Sequence, residues 1–335
     1  MNKNVFLLLF SIILVLILSE YIVRATGLYT FFNEREDRKY ISLFDVEINN
    51  HYYRFQEKST IHHKKNNEFN YTFYVDELGF RNSSKKLNSN PKIIVFGDSF
   101  TEGLGAKVKF STPEQLELML NKMVYNAGVF GSDIVFQQKI LEDIMPLNNV
   151  NSTYFIINFS DIADIITRGG KERFIDDGSV AYKKPPFFMP LYRISHLFRA
   201  IIHNIFRYDY MFNHPFNREE NIQKALITIS QTFEEIQDFC DKKNIEMSVF
   251  IHPLPQEYYK VLDSRLDFKE IDKLYNLLKN KNIEVYNLRE DFEKQLLTKE
   301  DWKNHSWEID GHFNEKGYSL MAKLIYEKIS LKSLN

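Results

Sequence analysis

The chain has 335 residues, 44% of them apolar and 26% charged, with a formal net charge of −2. That composition suits one large folded domain with insertions or two modest ones, and it carries no electrostatic footprint for nucleic-acid binding. Cys240 is the only cysteine, which excludes an internal disulfide and a cysteine metal cluster; in the amphipathic stretch 233–243 it reads as a small buried apolar residue.

The first element is apolar. Lys3 precedes an apolar run over 5–18, interrupted only by Ser11, and Tyr21-Ile22-Val23 extends it past Ser19 and Glu20. The strict run has the length of a signal-peptide core, and the extended one approaches a membrane span. No pair of small residues marks a cleavage site before Thr26. Residues 1–25 therefore read as an uncleaved signal anchor, with a cleavable signal as the alternative; an anchor would keep the short end in the cytoplasm and everything after about residue 30 outside it.

Residues 26–90 read as a stalk and a short β region. The stretch 33–70 is polar and irregular, and His62-His63 within it reads as solvated. Residues 69–75 alternate like a strand, and Glu77-Leu78-Gly79-Phe80-Arg81-Asn82 follows as a turn. After Asn88-Ser89-Asn90-Pro91, strands and helices alternate. Strands are predicted over 92–96, 123–126, 153–158, 246–251 and 283–287. Helices are predicted from Thr112, as a cap with Pro113 in the first turn, and over 134–144, 222–243, 268–279 and 315–330. Alternation of this kind predicts a parallel sheet covered on both faces, here over 91–330. An insertion at about 169–217, rich in Phe, Tyr, Pro and His, breaks the rhythm. Pro185-Pro186-Phe187-Phe188-Met189-Pro190 interrupts regular structure, and 191–206 has helical periodicity with Arg193, His196, Arg199 and His203, Arg207 following. Two readings stand: a surface helix packed on the domain, or a lid or membrane-surface helix.

Chemistry concentrates at two sites. In Ile93-Ile94-Val95-Phe96-Gly97-Asp98-Ser99 a β-rich run stops at a glycine, and an acid and a serine follow. That puts a hydroxyl at the C-terminal end of a buried strand, where clefts of open α/β sheets form. A serine attacks only when a base takes its proton, and a histidine oriented by a carboxylate suits that role. Asp310-Gly311-His312 supplies both within one loop ahead of the last helix. His252, between a strand and Pro253, reads as structural or substrate-contacting; His305, near Trp302 and Trp307, reads as a pocket-rim residue. Nothing has metal-site spacing, and Gly103-Leu104-Gly105 lacks the Lys-Ser/Thr of a phosphate loop. No metal or cofactor is expected.

Gly97-Asp98-Ser99 after a strand, with Asp310-Gly311-His312-Phe313-Asn314 and Gly317, resembles the SGNH/GDSL hydrolase superfamily over about residues 90–330. The blocks Glu77-Leu78-Gly79-Phe80-Arg81-Asn82, Ser99-Phe100-Thr101-Glu102-Gly103 and Tyr125-Asn126-Ala127-Gly128-Val129-Phe130-Gly131 look like the membrane-anchored bacterial members. The resemblance implies a flavodoxin-like three-layer α/β/α sandwich with a mainly parallel sheet and activity on ester bonds. It implies Ser99 as nucleophile, His312 as general base and Asp310 as its orienter. The backbone N–H groups of Ser99 and Gly131 would hold the oxyanion, with Gly128 as the competing glycine. Two departures stand out. The family's third block is glycine, any residue, asparagine, aspartate, whereas this chain has Asn158-Phe159-Ser160-Asp161. Losing the asparagine's oxyanion donor can cost about 3 kcal/mol of transition-state stabilisation, so either Ser160 substitutes, Asn158 reaches in, or catalysis is slow. One residue rather than two separates Asp310 from His312, a spacing that also occurs in related alginate-type O-acetyltransferases.

The resulting expectation is an extracytoplasmic, membrane-anchored serine esterase acting on O-acyl esters of a cell-envelope glycan. An O-acyltransferase of an exported polysaccharide and a catalytically weak binding protein of the same fold are the alternatives. The expected partners are the acylated substrate and the membrane, and no nucleic acid.

Overall fold

Five short apolar runs pair side by side and define the centre of the molecule. The computed structural model describes residues 3–26, 60–65, 68–82, 86, 90–143, 145–168, 170–173, 188–205, 219–259 and 268–332. The stalk expected before residue 60, Pro185 to Phe187 and Arg207 lie outside the described residues.

In chain order the elements are α1 (Lys3–Ala25), β1 (Thr60–Lys65), β2 (Phe69–Tyr74), β3 (Ile93–Gly97), α2 (Ser99–Glu102), α3 (Thr112–Leu120), β4 (Val124–Asn126), α4 (Ile134–Asp143), β5 (Ser152–Ile157), α5 (Phe159–Arg168), α6 (Met189–Ile194), α7 (His196–Asn204), α8 (Glu219–Lys242), β6 (Glu246–Ile251), α9 (Gln256–Tyr259), α10 (Phe268–Asn280), β7 (Val285–Asn287), α11 (Arg289–Gln295), α12 (Lys299–Asn304) and α13 (Glu315–Lys332).

The main sheet has the order β4-β3-β5-β6-β7, and every neighbouring pair is parallel. Counted from β3, this is the 2-1-3-4-5 order of flavodoxin-like sheets. The side chains of a strand alternate between faces. Ile94, Phe96 and Phe155 join α4, α5, α8 and α10 in one core; Ile93, Val95 and Ile156 join α3, α11 and α13 in the other. Helix α8 shows how sequence drives this layer: Ile222, Ala225, Ile229, Phe233, Ile236 and Cys240 recur every three or four residues and are buried, the stripe a half-buried helix needs. Burial pushes the Cys240 thiol up to about 11.

Several expectations shift. Ser111 rather than Thr112 sits at the N-cap of α3, with Pro113 in the first turn. Thr60–Lys65 is a strand where a polar stalk was expected, and it pairs antiparallel with β2. His62 is exposed, but His63 is buried, its Nδ1 3.0 Å from the Tyr71 hydroxyl. The single helix expected over 191–206 is two helices. They meet at Ser195, whose Oγ accepts from the Phe198 N–H at 3.0 Å and caps α7.

Helix α1 has 23 residues, a length and apolarity sufficient to cross a membrane, and its apolar side chains face outward. At 1.5 Å per residue it spans about 35 Å, against about 30 Å of hydrocarbon. Near its end, Glu20 accepts from the Ser195 hydroxyl at 2.8 Å and from the His196 and Leu197 N–H groups at 3.0 and 2.8 Å. The insertion therefore meets the apolar helix.

Candidate active site

Strand order in an open α/β sheet reverses between its first and third strands, and the crevice opens there at the strands' C-terminal ends. In this chain that point lies between β3 and β5, which end at Gly97 and Ile157. Asp98 follows β3 as the N-cap of α2, its Oδ1 accepting from the Phe100 N–H at 2.8 Å. Ser99 is the first residue of the helix, so its N–H has no partner within α2.

The acid and base come from the loop between α12 and α13. The Trp307 N–H donates to the His312 carbonyl and the Gly311 N–H to the Trp307 carbonyl, both at 2.8 Å, closing a tight loop. His312 Nδ1 lies 2.5 Å from Asp310 Oδ1, and His312 Nε2 lies 2.7 Å from Ser99 Oγ. A carboxylate only accepts, so Nδ1 carries the hydrogen and the Nε2 lone pair faces the serine hydroxyl. The Phe100 ring packs against His312 with centroids 4.6 Å apart. Ser99, Asp310 and His312, separated by more than two hundred residues, thus form one chain of hydrogen bonds.

The groups considered for the oxyanion differ. Gly131 has φ of +68°, a backbone favouring glycine. The preceding amide, Phe130 N–H, donates to Glu102 Oε2 at 2.9 Å, tying this turn to α2. Gly128 instead packs beneath α2: a Cβ there would lie 2.3 Å from the Glu102 nitrogen. Asn158 does not reach in. Its Nδ2 donates to Asp98 Oδ2 at 2.9 Å and lies 3.3 Å from His252 Nε2, while its Oδ1 accepts from the Ser160 N–H at 2.8 Å. Both amide hydrogens are therefore used, and the side chain is fully buried. The Ser160 hydroxyl also donates to Asp98 Oδ2, at 3.2 Å. A block expected to face the substrate faces the acid behind the serine instead.

That inward network includes two titrating groups. Burial lowers His252 to about 4, with the His312 charge adding to the effect and the Asp98 charge opposing it. Its Nδ1 donates to the Pro253 carbonyl at 2.9 Å, so the neutral ring accepts at Nε2. Between the two readings of His252, this burial favours the structural one. Burial first, and then the Asp98 charge, push Asp161 well above the ordinary carboxylate range. His305 caps α12, with Nδ1 2.7 Å from the Asp301 carbonyl. Trp302 is buried and stacks on Tyr258 at 3.7 Å, whereas Trp307 donates from Nε1 to the Gly105 carbonyl at 2.8 Å.

The turn 77–82 carries more than sequence reasoning assigned it. Arg81 is buried and donates to the carbonyls of Glu102, Gly103 and Ala106, with its guanidinium over the Tyr71 and Phe73 rings. Asn82 exchanges hydrogen bonds with the backbone of Asn126, at 2.9 and 3.0 Å. Asp76 accepts from Tyr125 Oη at 2.6 Å. Together they clamp α2 and the strand leading to Gly131. An arginine in a polar-looking turn gives no sign in sequence that it will be buried.

No family model and no curated protein matches the chain. Solved structures similar to it include a lipolytic protein of the G-D-S-L family from Desulfitobacterium hafniense, at 16% identity and a TM-score of 0.39, covering 71% of this chain and 99% of that one. They also include an acetyl xylan esterase, AlAXEase, at 13% identity and a TM-score of 0.43, covering 71% and 99%. The acetylxylan esterase Axe2 from Geobacillus stearothermophilus is similar at 12% identity and a TM-score of 0.41, covering 71% and 94%.

Proposed function

We propose that the chain is a serine esterase of the SGNH/GDSL type, held at a membrane by α1 with the folded domain on the extracytoplasmic side. It removes O-acyl groups, on this reading from a cell-envelope glycan. The observation that carries the reading is the relay from Ser99 Oγ to His312 Nε2, 2.7 Å, and from His312 Nδ1 to Asp310 Oδ1, 2.5 Å. Its position at the crevice of the sheet supports the same reading.

In the proposed reaction Ser99 Oγ attacks the ester carbonyl while its proton passes to His312 Nε2. Asp310 stays ionised and stabilises the imidazolium. The tetrahedral oxyanion is held by the Ser99 and Gly131 N–H groups. Collapse expels the alcohol, which takes the proton from His312, and leaves the acyl group on Ser99. Water, deprotonated by His312, attacks the acyl-enzyme; the acid departs and Ser99 regains its proton.

The experiment is covalent labelling of the full chain by a fluorophosphonate. Wild type should label at Ser99 and Ser99→Ala should not; a wild-type chain that stays unlabelled beside a labelled reference esterase overturns the reading. A second reading, a slow enzyme that mainly binds, draws on one observation: Asn158 and Ser160 both spend their donors on Asp98. Measured turnover of p-nitrophenyl acetate separates the two. Product analysis with and without a glycan acceptor separates hydrolysis from O-acyl transfer.

A further inference from the structure

The β1–β2 hairpin lies outside the α/β/α layers, yet it grips the acid–base loop. Asp310 uses Oδ1 for His312, and its other oxygen, Oδ2, lies 3.3 Å from Lys65 Nζ. Glu68 accepts from the Ile309 and Asp310 N–H groups at 2.7 and 2.9 Å. Phe69 packs on Trp307 with ring centroids 5.9 Å apart. The Asp310 side chain is 2% exposed and that of Lys65 27%, so water screens this pair less than an open surface pair.

We infer that Lys65 and Glu68 are positioning residues of the triad, which makes the hairpin a working part of the active site. The inference rests on the esterase reading. A carboxylate held through one oxygen can turn about its Cβ–Cγ bond. An ammonium on the second oxygen fixes its plane, so that Oδ1 stays aimed at Nδ1. Glu68 fixes the backbone from which Asp310 projects, since a carboxylate accepting two adjacent amides resists both sliding and twisting of that segment.

Lys65 also acts through charge. Around Asp310 and His312 stand Asp98 and Ser99 from the β3–α2 turn, His252 behind Phe100, Tyr259 from α9, Tyr318 from α13, and Lys65 and Glu68 from the hairpin. Lys65 brings a cation into contact with the carboxylate. It offsets part of the negative charge that favours the imidazolium. Removing it makes the protonated base more stable, so the acidic limb of the rate profile moves to higher pH.

The test uses the full chain in detergent micelles, with p-nitrophenyl acetate as substrate and kcat and KM followed against pH. Lys65→Met should lower kcat about three- to tenfold, hold KM within about twofold, and raise the acidic limb by about half a pH unit. Lys65→Arg should restore both. Glu68→Gln, which replaces one acceptor with a donor facing an amide, should lower kcat about tenfold at unchanged KM. Lys64→Met, on the exposed face of the same strand, should match wild type. Independently of turnover, the low-field proton resonance of His312 Nδ1, assigned by its absence in His312→Gln, should titrate at higher pH in Lys65→Met. Rate profiles and resonances of Lys65→Met and Glu68→Gln that superimpose on wild type overturn the inference. A wild type that neither turns over ester nor labels with fluorophosphonate sinks the esterase reading instead, and the resonance still decides the role of Lys65.

Discussion

The two halves of the candidate site are held in opposite ways. Ser99 sits on a turn continuous with the central strand, backed by a sealed network: Asp98 accepts from Asn158 and Ser160, and Asn158 contacts neutral His252. Asp310 and His312 sit on a surface loop fixed by contacts from distant elements, among them Glu68 and Lys65 of the hairpin and Phe100 beneath the imidazole. The first half is continuous with the packed core and is clamped further by Arg81 and Asn82; the second belongs to a loop, whose place is set by side chains from other elements. Substitutions behind the serine should therefore register in stability, and those around the loop in rate.

The strongest test of this contrast is at the reacting groups. Ser99→Ala and His312→Ala should each reduce p-nitrophenyl acetate turnover by at least about a thousandfold while leaving thermal unfolding nearly unchanged. Wild-type turnover in either variant would break the triad. In the turn after β4, Gly131→Ala places a Cβ on a backbone at φ +68°, at the residue whose amide is proposed to hold the oxyanion. We expect about 1–2 kcal/mol of destabilisation in urea unfolding and a fall in kcat of about ten- to a hundredfold as the amide moves.

The network behind the serine should show itself through pH. His252 is held at about 4 in the folded chain, against 6.5 for the free group. The unfolded chain therefore binds the extra proton first on acidification. The contribution of His252 should be full above about pH 6.5 and be lost as the pH falls towards about 4, a decline on the order of 3 kcal/mol. His252→Gln should flatten that slope in thermal melts at pH 7 and pH 5; equal slopes would remove His252 from the network's energetics. The smallest effect belongs to Ser160→Ala. Because its hydroxyl points to Asp98, kcat/KM should stay within about threefold of wild type; a loss of a hundredfold or more would show that the hydroxyl swings to the oxyanion during reaction.

Much of the fold is legible in the sequence. The strands expected over 92–96, 153–158 and 246–251 stand out, within a residue of β3, β5 and β6, because parallel strands are buried on both faces and read as continuous apolar runs. The hydroxyl after β3 stands out because it follows the glycine that ends an apolar run, at the strand end where clefts of open α/β sheets form. The short helices α2, α11 and α12 were not legible, since four to seven residues hold too little periodicity to register. Strand β1 was missed for a related reason. Its residues, Thr60-Ile61-His62-His63-Lys64-Lys65, look polar, and only pairing with β2 buries Ile61 and His63.

The sequence by itself determined the layered α/β architecture, because periodicity is a local property, and it offered Ser99, His312 and Asp310 as a candidate relay through their resemblance to a known family rather than through any local signal that joins them. Only the tertiary structure decided where Asn158 and Ser160 point, since a side chain's direction depends on which acceptor lies across the crevice, and that acceptor is Asp98. It alone likewise brought Lys65 and Glu68 to the acid of the relay, across more than two hundred residues that no spacing rule connects.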